Sequence, residues 1–231
     1  MGKLIKCHFY YLMNPLTIII FIITIIGVLF FSLFSCLSID NRMNTFEQAS
    51  YYYLSMFEII KLISFVLVII LFGYSFTSIN DSYHSIIISN RISRSRFFIS
   101  KIILLSSVYI FIYLVNITIT IVIGLLFKIV LTPLMLKSLF QLLLVLMIFG
   151  NYALFLILLL DNIYIIFILF PLSLVTYTKD IYFLLFLWPM FGSSGPTSEY
   201  MLVLPSWYYI FMYFIHNVIL LFVFNKKDLP N

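Results

Sequence analysis

Apolar runs of roughly 18 residues or more recur along this chain, the length an α-helix needs to cross a hydrocarbon core about 30 Å thick. With 64% hydrophobic and only 9% charged residues in 231, and a mean hydropathy of +1.19, the chain lacks the charge to cover a soluble surface. In lipid every backbone N–H and C=O must be satisfied inside the protein, so runs of this kind fold as helices. The expectation is an all-α, polytopic integral membrane protein with one transmembrane domain, 1–231.

Breakers and aromatic belts divide the runs. Leu4, Ile5, Phe9, Leu12 and Met13 share one helical face, with Lys3, Lys6 and Tyr10 opposite. Residues 1–14 therefore read as an interfacial helix or as a snorkelling lead-in to the first span. The apolar run after Asn14-Pro15 is too long for a cleavable signal. The first span is expected at about Leu16–Leu37, followed by a polar loop over Ser38–Ser50. Tyr51-Tyr52-Tyr53 opens the second span, which reaches about Phe76. A third span follows at about Phe97–Leu126, then a short outer loop marked by Lys128, Pro133 and Lys137, and a fourth span at about Ser138–Leu160. The turn Asp161-Asn162 makes the fifth span antiparallel to the fourth, with a kink at Pro171. The last span is about Ser206–Phe224.

Region 176–205 reads as a re-entrant outer hairpin between helices 5 and 6. A single long span there would bury Lys179 and Asp180, at about 2.5–3.5 kcal/mol each. Such a hairpin needs protein cover to satisfy its backbone.

Six spans put both termini on one side. With the termini and the polar island after the second span inside, the inner cations are Lys3, Lys6, Arg91, Arg94, Arg96, Lys101, Lys226 and Lys227. The outer ones are Arg42, Lys128, Lys137 and Lys179, and Lys61 lies within a span. The asymmetry obeys the positive-inside rule, giving a multi-pass protein of the cell membrane with both termini cytoplasmic. The net charge of +5 suits anionic lipid rather than nucleic acid.

Catalytic signatures are missing from the sequence. It has no P-loop, no H-E-x-x-H and no G-x-S-x-G. Cys7 and Cys36 fall near opposite sides of the membrane, and His8, His84 and His216 are dispersed, so neither a disulfide nor a metal site is expected. No enzyme activity and no cofactor is assigned to this chain. Glu58 and Lys61, three residues apart in the second span, form an intramembrane pair. It reads either as a coupling site or as a mutually neutralising pair with a snorkelling lysine. Gly27, Gly73, Gly124 and Gly150 mark candidate close helix approaches.

The island, 79–96, carries the functional signal. Asn80 and Asp81 supply N-cap chemistry, and Tyr83, Ile86 and Ile87 then share a helical face. A short amphipathic helix results, followed by Arg91, Arg94 and Arg96, which suit phospholipid headgroups at the inner interface. Held between two spans, it can pass a push from a soluble partner into the bundle.

Arg91-Ile92-Ser93-Arg94 with Lys101 resembles the basic turn and lysine that open the third span of ABC-2 type permeases, with Arg91 in place of a proline. The layout of an N-terminal interfacial helix, six spans and an interrupted region between spans five and six is similar as well. The resemblance implies the permease subunit of an ATP-binding-cassette exporter, paired with a second permease subunit as homo- or heterodimer. ATP and Mg would sit on a separate ATPase subunit. That ATPase would dock on the coupling helix Asp81, Ser82, Tyr83, His84, Ser85, Ile86 and Ser89, with Asp161 and Asn162 as a second cytoplasmic contact. Similar stand-alone permeases of Gram-positive bacteria serve lantibiotic immunity and phenol-soluble-modulin export, which implies a hydrophobic or amphipathic peptide substrate. The alternative is a non-transporting assembly or regulatory subunit that binds a cytoplasmic partner.

Overall fold

The computed structural model describes residues 2–40, 42–76, 92–160 and 206–226. All regular elements among them are helices: α1 (Gly2–Leu12), α2 (Pro15–Leu37), α3 (Thr45–Ser75), α4 (Arg94–Leu126), α5 (Pro133–Leu160) and α6 (Ser206–Lys226). The last five are each long and apolar enough to cross a membrane, so the chain is a multi-pass helical membrane protein. The expected fifth span, the hairpin region 176–205 and most of the island lie outside the described residues.

Local chemistry sets the helix ends. The Asn14 side chain accepts from the Thr17 N–H at 2.8 Å and Pro15 fills the first position of α2. α3 starts six residues before Tyr51, inside the stretch expected as loop. Asn44 and Glu47 form a reciprocal capping box there: the Glu47 N–H donates to Asn44 Oδ1 at 2.9 Å, and the Asn44 N–H to Glu47 Oε2 at 3.1 Å. α5 likewise starts early, at Pro133, with Thr132 Oγ1 accepting from the Met135 N–H, so Lys137 is helical rather than in a loop.

α4 is the hub and touches each of the other five helices. α2 and α6 are peripheral, with only 17% of their apolar windows buried, against 72% for α5. Their outer stripes are uniformly apolar. Ile19, Ile23, Ile26, Phe30 and Phe34 line α2, and Trp207, Phe211, Phe214, Val218 and Phe222 line α6. These are lipid-facing patterns.

Pair contacts give the directions. The Tyr52 hydroxyl donates to the Thr120 carbonyl and Lys101 reaches the Ser75 carbonyl, so α3 and α4 are antiparallel. Ser106 pairs with Tyr213 and Ser95 with Asn225, so α6 is antiparallel to α4 as well. Phe65 packs on Phe149, and Gly150 lies against Val68 and Phe72, so α5 runs parallel to α3. α5 and α6 are therefore parallel neighbours. Residue 160 ends at the end of the bundle that carries α1, and residue 206 starts at the far end.

Candidate functional site

The α1 end gathers four elements around one buried cation. Ser75 and Phe76 close α3, Phe97 and Lys101 open α4, Phe224 comes from the last turns of α6, and α1 lies across α4. Lys101 is 4% exposed. Its ammonium donates to the Ser75 carbonyl and sits 4.4 Å from the Phe76 ring centroid and 5.5 Å from that of Phe97. A carbonyl at a helix C-terminus and two aromatic faces are the groups that can replace water around an ammonium. Phe224 stacks on Phe97 with centroids 6.1 Å apart and packs on Phe98 at 5.1 Å and Phe76 at 6.0 Å. Both places where the chain leaves for and returns from residues 77–91 are thus pinned to the same knot.

α1 joins the knot through a residue that simple periodicity missed. The expected apolar face contained Phe9. In the structure Phe9 turns outward, and His8, buried beside Leu12, faces α4 instead. His8 Nε2 is 3.0 Å from Ser100 Oγ, and its ring meets Phe97 edge-on at 4.9 Å. The Ser100 hydroxyl donates to the Phe97 carbonyl at 2.8 Å, so its oxygen is the acceptor and His8 the donor through Nε2.

Burial, and then the charge of Lys101, lower the His8 pKa from 6.5 to about 4, against an opposing hydrogen bond to the Phe97 backbone. The native state therefore holds His8 neutral, while the unfolded chain takes up a proton as pH falls through about 6.5. This contribution to stability is complete above 6.5 and is lost progressively as pH falls toward 4. In detergent, the apparent unfolding temperature should drop more over that interval in the wild type than in His8→Leu. Equal drops would show that His8 is not held neutral in the fold.

The sequence-predicted residues divide three ways. Arg94 and Arg96 lie in the first turn of α4, where Ser93 Oγ caps the Arg96 N–H; Arg94 also donates to the Asn225 carbonyl at 3.4 Å. Lys101, grouped with them in sequence as part of a basic interface turn, is buried under the knot rather than facing headgroups. Asp81, Ser82, Tyr83, His84, Ser85, Ile86, Ser89, Arg91, Asp161 and Asn162 lie outside the described residues. Glu58 and Lys61 do pair, at 2.6 Å, with Lys61 buried and the Glu58 side chain 39% exposed. His216 Nδ1 bonds the Met212 carbonyl in its own helix at 2.8 Å. Among the described residues no three His, Cys, Asp or Glu side chains cluster as a metal site would require, and Cys7 and Cys36 are free thiols.

A groove of about 540 Å³ runs between α4 and α6, floored by Met147. Its walls are apolar except for Ser106, Ser107, Tyr213 and Asn217. The Ser106 and Tyr213 hydroxyls are 2.6 Å apart, and the Asn217 amide donates to the Tyr213 carbonyl. Fold and site together define a helical, multi-pass membrane protein whose α1 end is pinned around Lys101, with no group of His, Cys, Asp and Glu that could hold a metal ion among the described residues. No protein-family model matches the chain, and no curated protein matches it in sequence.

Proposed function

We propose that this chain is the membrane-spanning permease subunit of an ATP-binding-cassette exporter, moving a hydrophobic or amphipathic substrate such as a peptide. The observation that carries the reading is the knot at the α1 end. Lys101, Phe76, Phe97 and Phe224 lash both roots of segment 77–91 to three membrane helices and, through His8, to α1. A load applied to the island would reach the whole bundle, as a coupling element requires. A loosely tethered lipid-anchoring loop needs no such anchorage.

In this reading the termini and Asp81–Ser89 are cytoplasmic and residues 163 onward supply a sixth span. The parallel run of α5 and α6 supports that span, since residues 160 and 206 lie at opposite ends of the bundle. The re-entrant hairpin at 176–205 remains part of the proposal. The α4–α6 groove, open to the lipid side and mostly apolar, suits a substrate that partitions into the bilayer.

The test is purification from native membranes in mild detergent, with identification of the co-purifying chains. A stoichiometric P-loop ATPase lacking membrane spans is expected, lost on substitution of Asp81 and Tyr83 while the permease still inserts. Its reproducible absence from an intact bundle overturns the exporter reading and favours the non-transporting subunit.

A further inference from the structure

The groove between α4 and α6 has polar heads on both walls at its α1 end. Its lips are two stripes at helical spacing. On α4, Ile99, Ile103 and Ser107 continue the stripe that begins at Arg96. On α6, Phe214, Val218 and Leu221 lead to Asn225. Because the two helices are antiparallel, Arg96 and Asn225 fall at the same end. There the Asn225 amide donates to Ser95 Oγ at 3.1 Å and the Arg94 guanidinium to the Asn225 carbonyl at 3.4 Å. Lys226 lays its ammonium 4.4 Å from the ring centroid of Phe222, which is 59% exposed on the lipid side of α6.

Beyond this head the walls are apolar for about the depth of one leaflet. From Phe98 to Ile110, α4 rises about 18 Å at 1.5 Å per residue, against about 15 Å for half of a hydrocarbon core. The Ser106 and Tyr213 hydroxyls bond each other, and the Ser107 hydroxyl donates to the Ile103 carbonyl, so these groups are partnered within the walls. Charge at the head has one sign. Among the described residues the α1 end carries Lys3, Lys6, Arg94, Arg96, Lys101 and Lys226 and no Asp or Glu. The described acids, Asp40, Glu47 and Glu58, all lie nearer the other end.

We infer that the α4–α6 groove is a binding site for an anionic phospholipid of the leaflet at the α1 end. Its phosphate sits among Arg94, Arg96 and Lys226, and one acyl chain lies in the groove as far as Ser106 and Tyr213. A second copy of this chain at the same depth would bring cations against cations, and a basic peptide would meet the same repulsion. A phospholipid supplies the anion and the apolar chain in one molecule, each at the depth where the groove has its match. The inference goes beyond the exporter reading and stands without it. A substrate entering from the bilayer would have to displace this chain.

Photolabelling in bilayers tests it. The protein, purified in mild detergent with whatever chains accompany it, is reconstituted into phosphatidylcholine vesicles. These carry a trace of phosphatidylglycerol with a diazirine midway along one acyl chain, and labelled residues are mapped by mass spectrometry. Label is expected on Ile103–Ile110 and Phe214–Val218, displaced by excess unlabelled phosphatidylglycerol and not by more phosphatidylcholine. Arg96→Gln and Lys226→Gln should each lower that preference about fivefold. Val218→Trp, which fills the groove and leaves the cations, should remove the label from it, with monodisperse elution confirming that each variant folds. Label on the exposed stripe of α2 should not distinguish the two lipids. Equal labelling of the groove by a phosphatidylcholine probe would make the contact an ordinary annular one and overturn the site. So would a groove that takes no label in folded protein, whether residues 161–205 or another protein fills it instead.

Discussion

Gly150→Leu is expected to abolish the folded bundle. A Cβ at position 150 would already stand 2.7 Å from Val68 Cγ2 and 3.3 Å from the Phe72 ring. Val68 and Phe72 are both fully buried in α3, so neither can move aside without displacing the side chains packed around it. Overpacking of this kind costs about 1–3 kcal/mol for small additions and more for a leucine. The seam between α3 and α5 must open, and α5, the most buried of the described spans, would lose its bed. Two other glycines set the scale. At Gly124 an added Cβ meets the Tyr53 hydroxyl at 2.9 Å and, at 3.0 Å, the ring of Tyr52, fully buried and held by its bond to the Thr120 carbonyl, so Gly124→Ala should destabilise on the same scale as Gly150→Ala. At Gly27 it meets Ile63 Cδ1 at 3.7 Å, ordinary contact, so Gly27→Ala should be near neutral. Unfolding temperatures and elution profiles in detergent give the ranking; a Gly150→Leu protein as stable as Gly27→Ala would refute the close approach.

The second large effect belongs to charge reversal at Lys101. Glutamate there would face the Ser75 carbonyl, the negative end of α3 and the faces of Phe76 and Phe97, all repelling an anion. A loss of about 3–5 kcal/mol is expected, the scale for an uncompensated buried charge. Lys101→Met, which keeps the length and removes the charge along with its burial cost, should stay within about 1.5 kcal/mol of the wild type. It should also shrink the acid-induced loss traced to His8, because the lysine charge is one of the two causes holding that imidazole neutral. Thermal unfolding of the two variants above and below pH 6.5 separates the effects. Equal damage from glutamate and methionine would mean that the site reads shape and not charge.

The far ends of α2 and α4 were legible in sequence because an unbroken apolar window announces itself residue by residue. The starts of α3 and α5 were less so, since their first turns are polar and are held by caps. Asn44-x-x-Glu47 carries that signal, inside a stretch whose composition reads as loop. The Glu58–Lys61 pair was visible because its partners are three residues apart. The knot was not. Lys101 finds its carbonyl 26 residues away and His8 its serine 92 away, and a lysine or histidine near an apolar run reads as interfacial until such partners are known. The His8 face of α1 was lost for a related reason, because a helical wheel ranks phenylalanine above histidine for burial.

Phe224 enters the knot from α6, the last of the described helices to be made. A ribosome that has delivered α1 to α5 has therefore built a bundle whose α1 end still lacks its closing ring. Only when α6 has been inserted do Phe76, Phe97 and Phe98 acquire their third-side neighbour and Ser95 its amide from Asn225. The surface from which the island departs is thus finished last. A protein that recognises that surface would meet it in finished form only on chains in which α6 has been inserted.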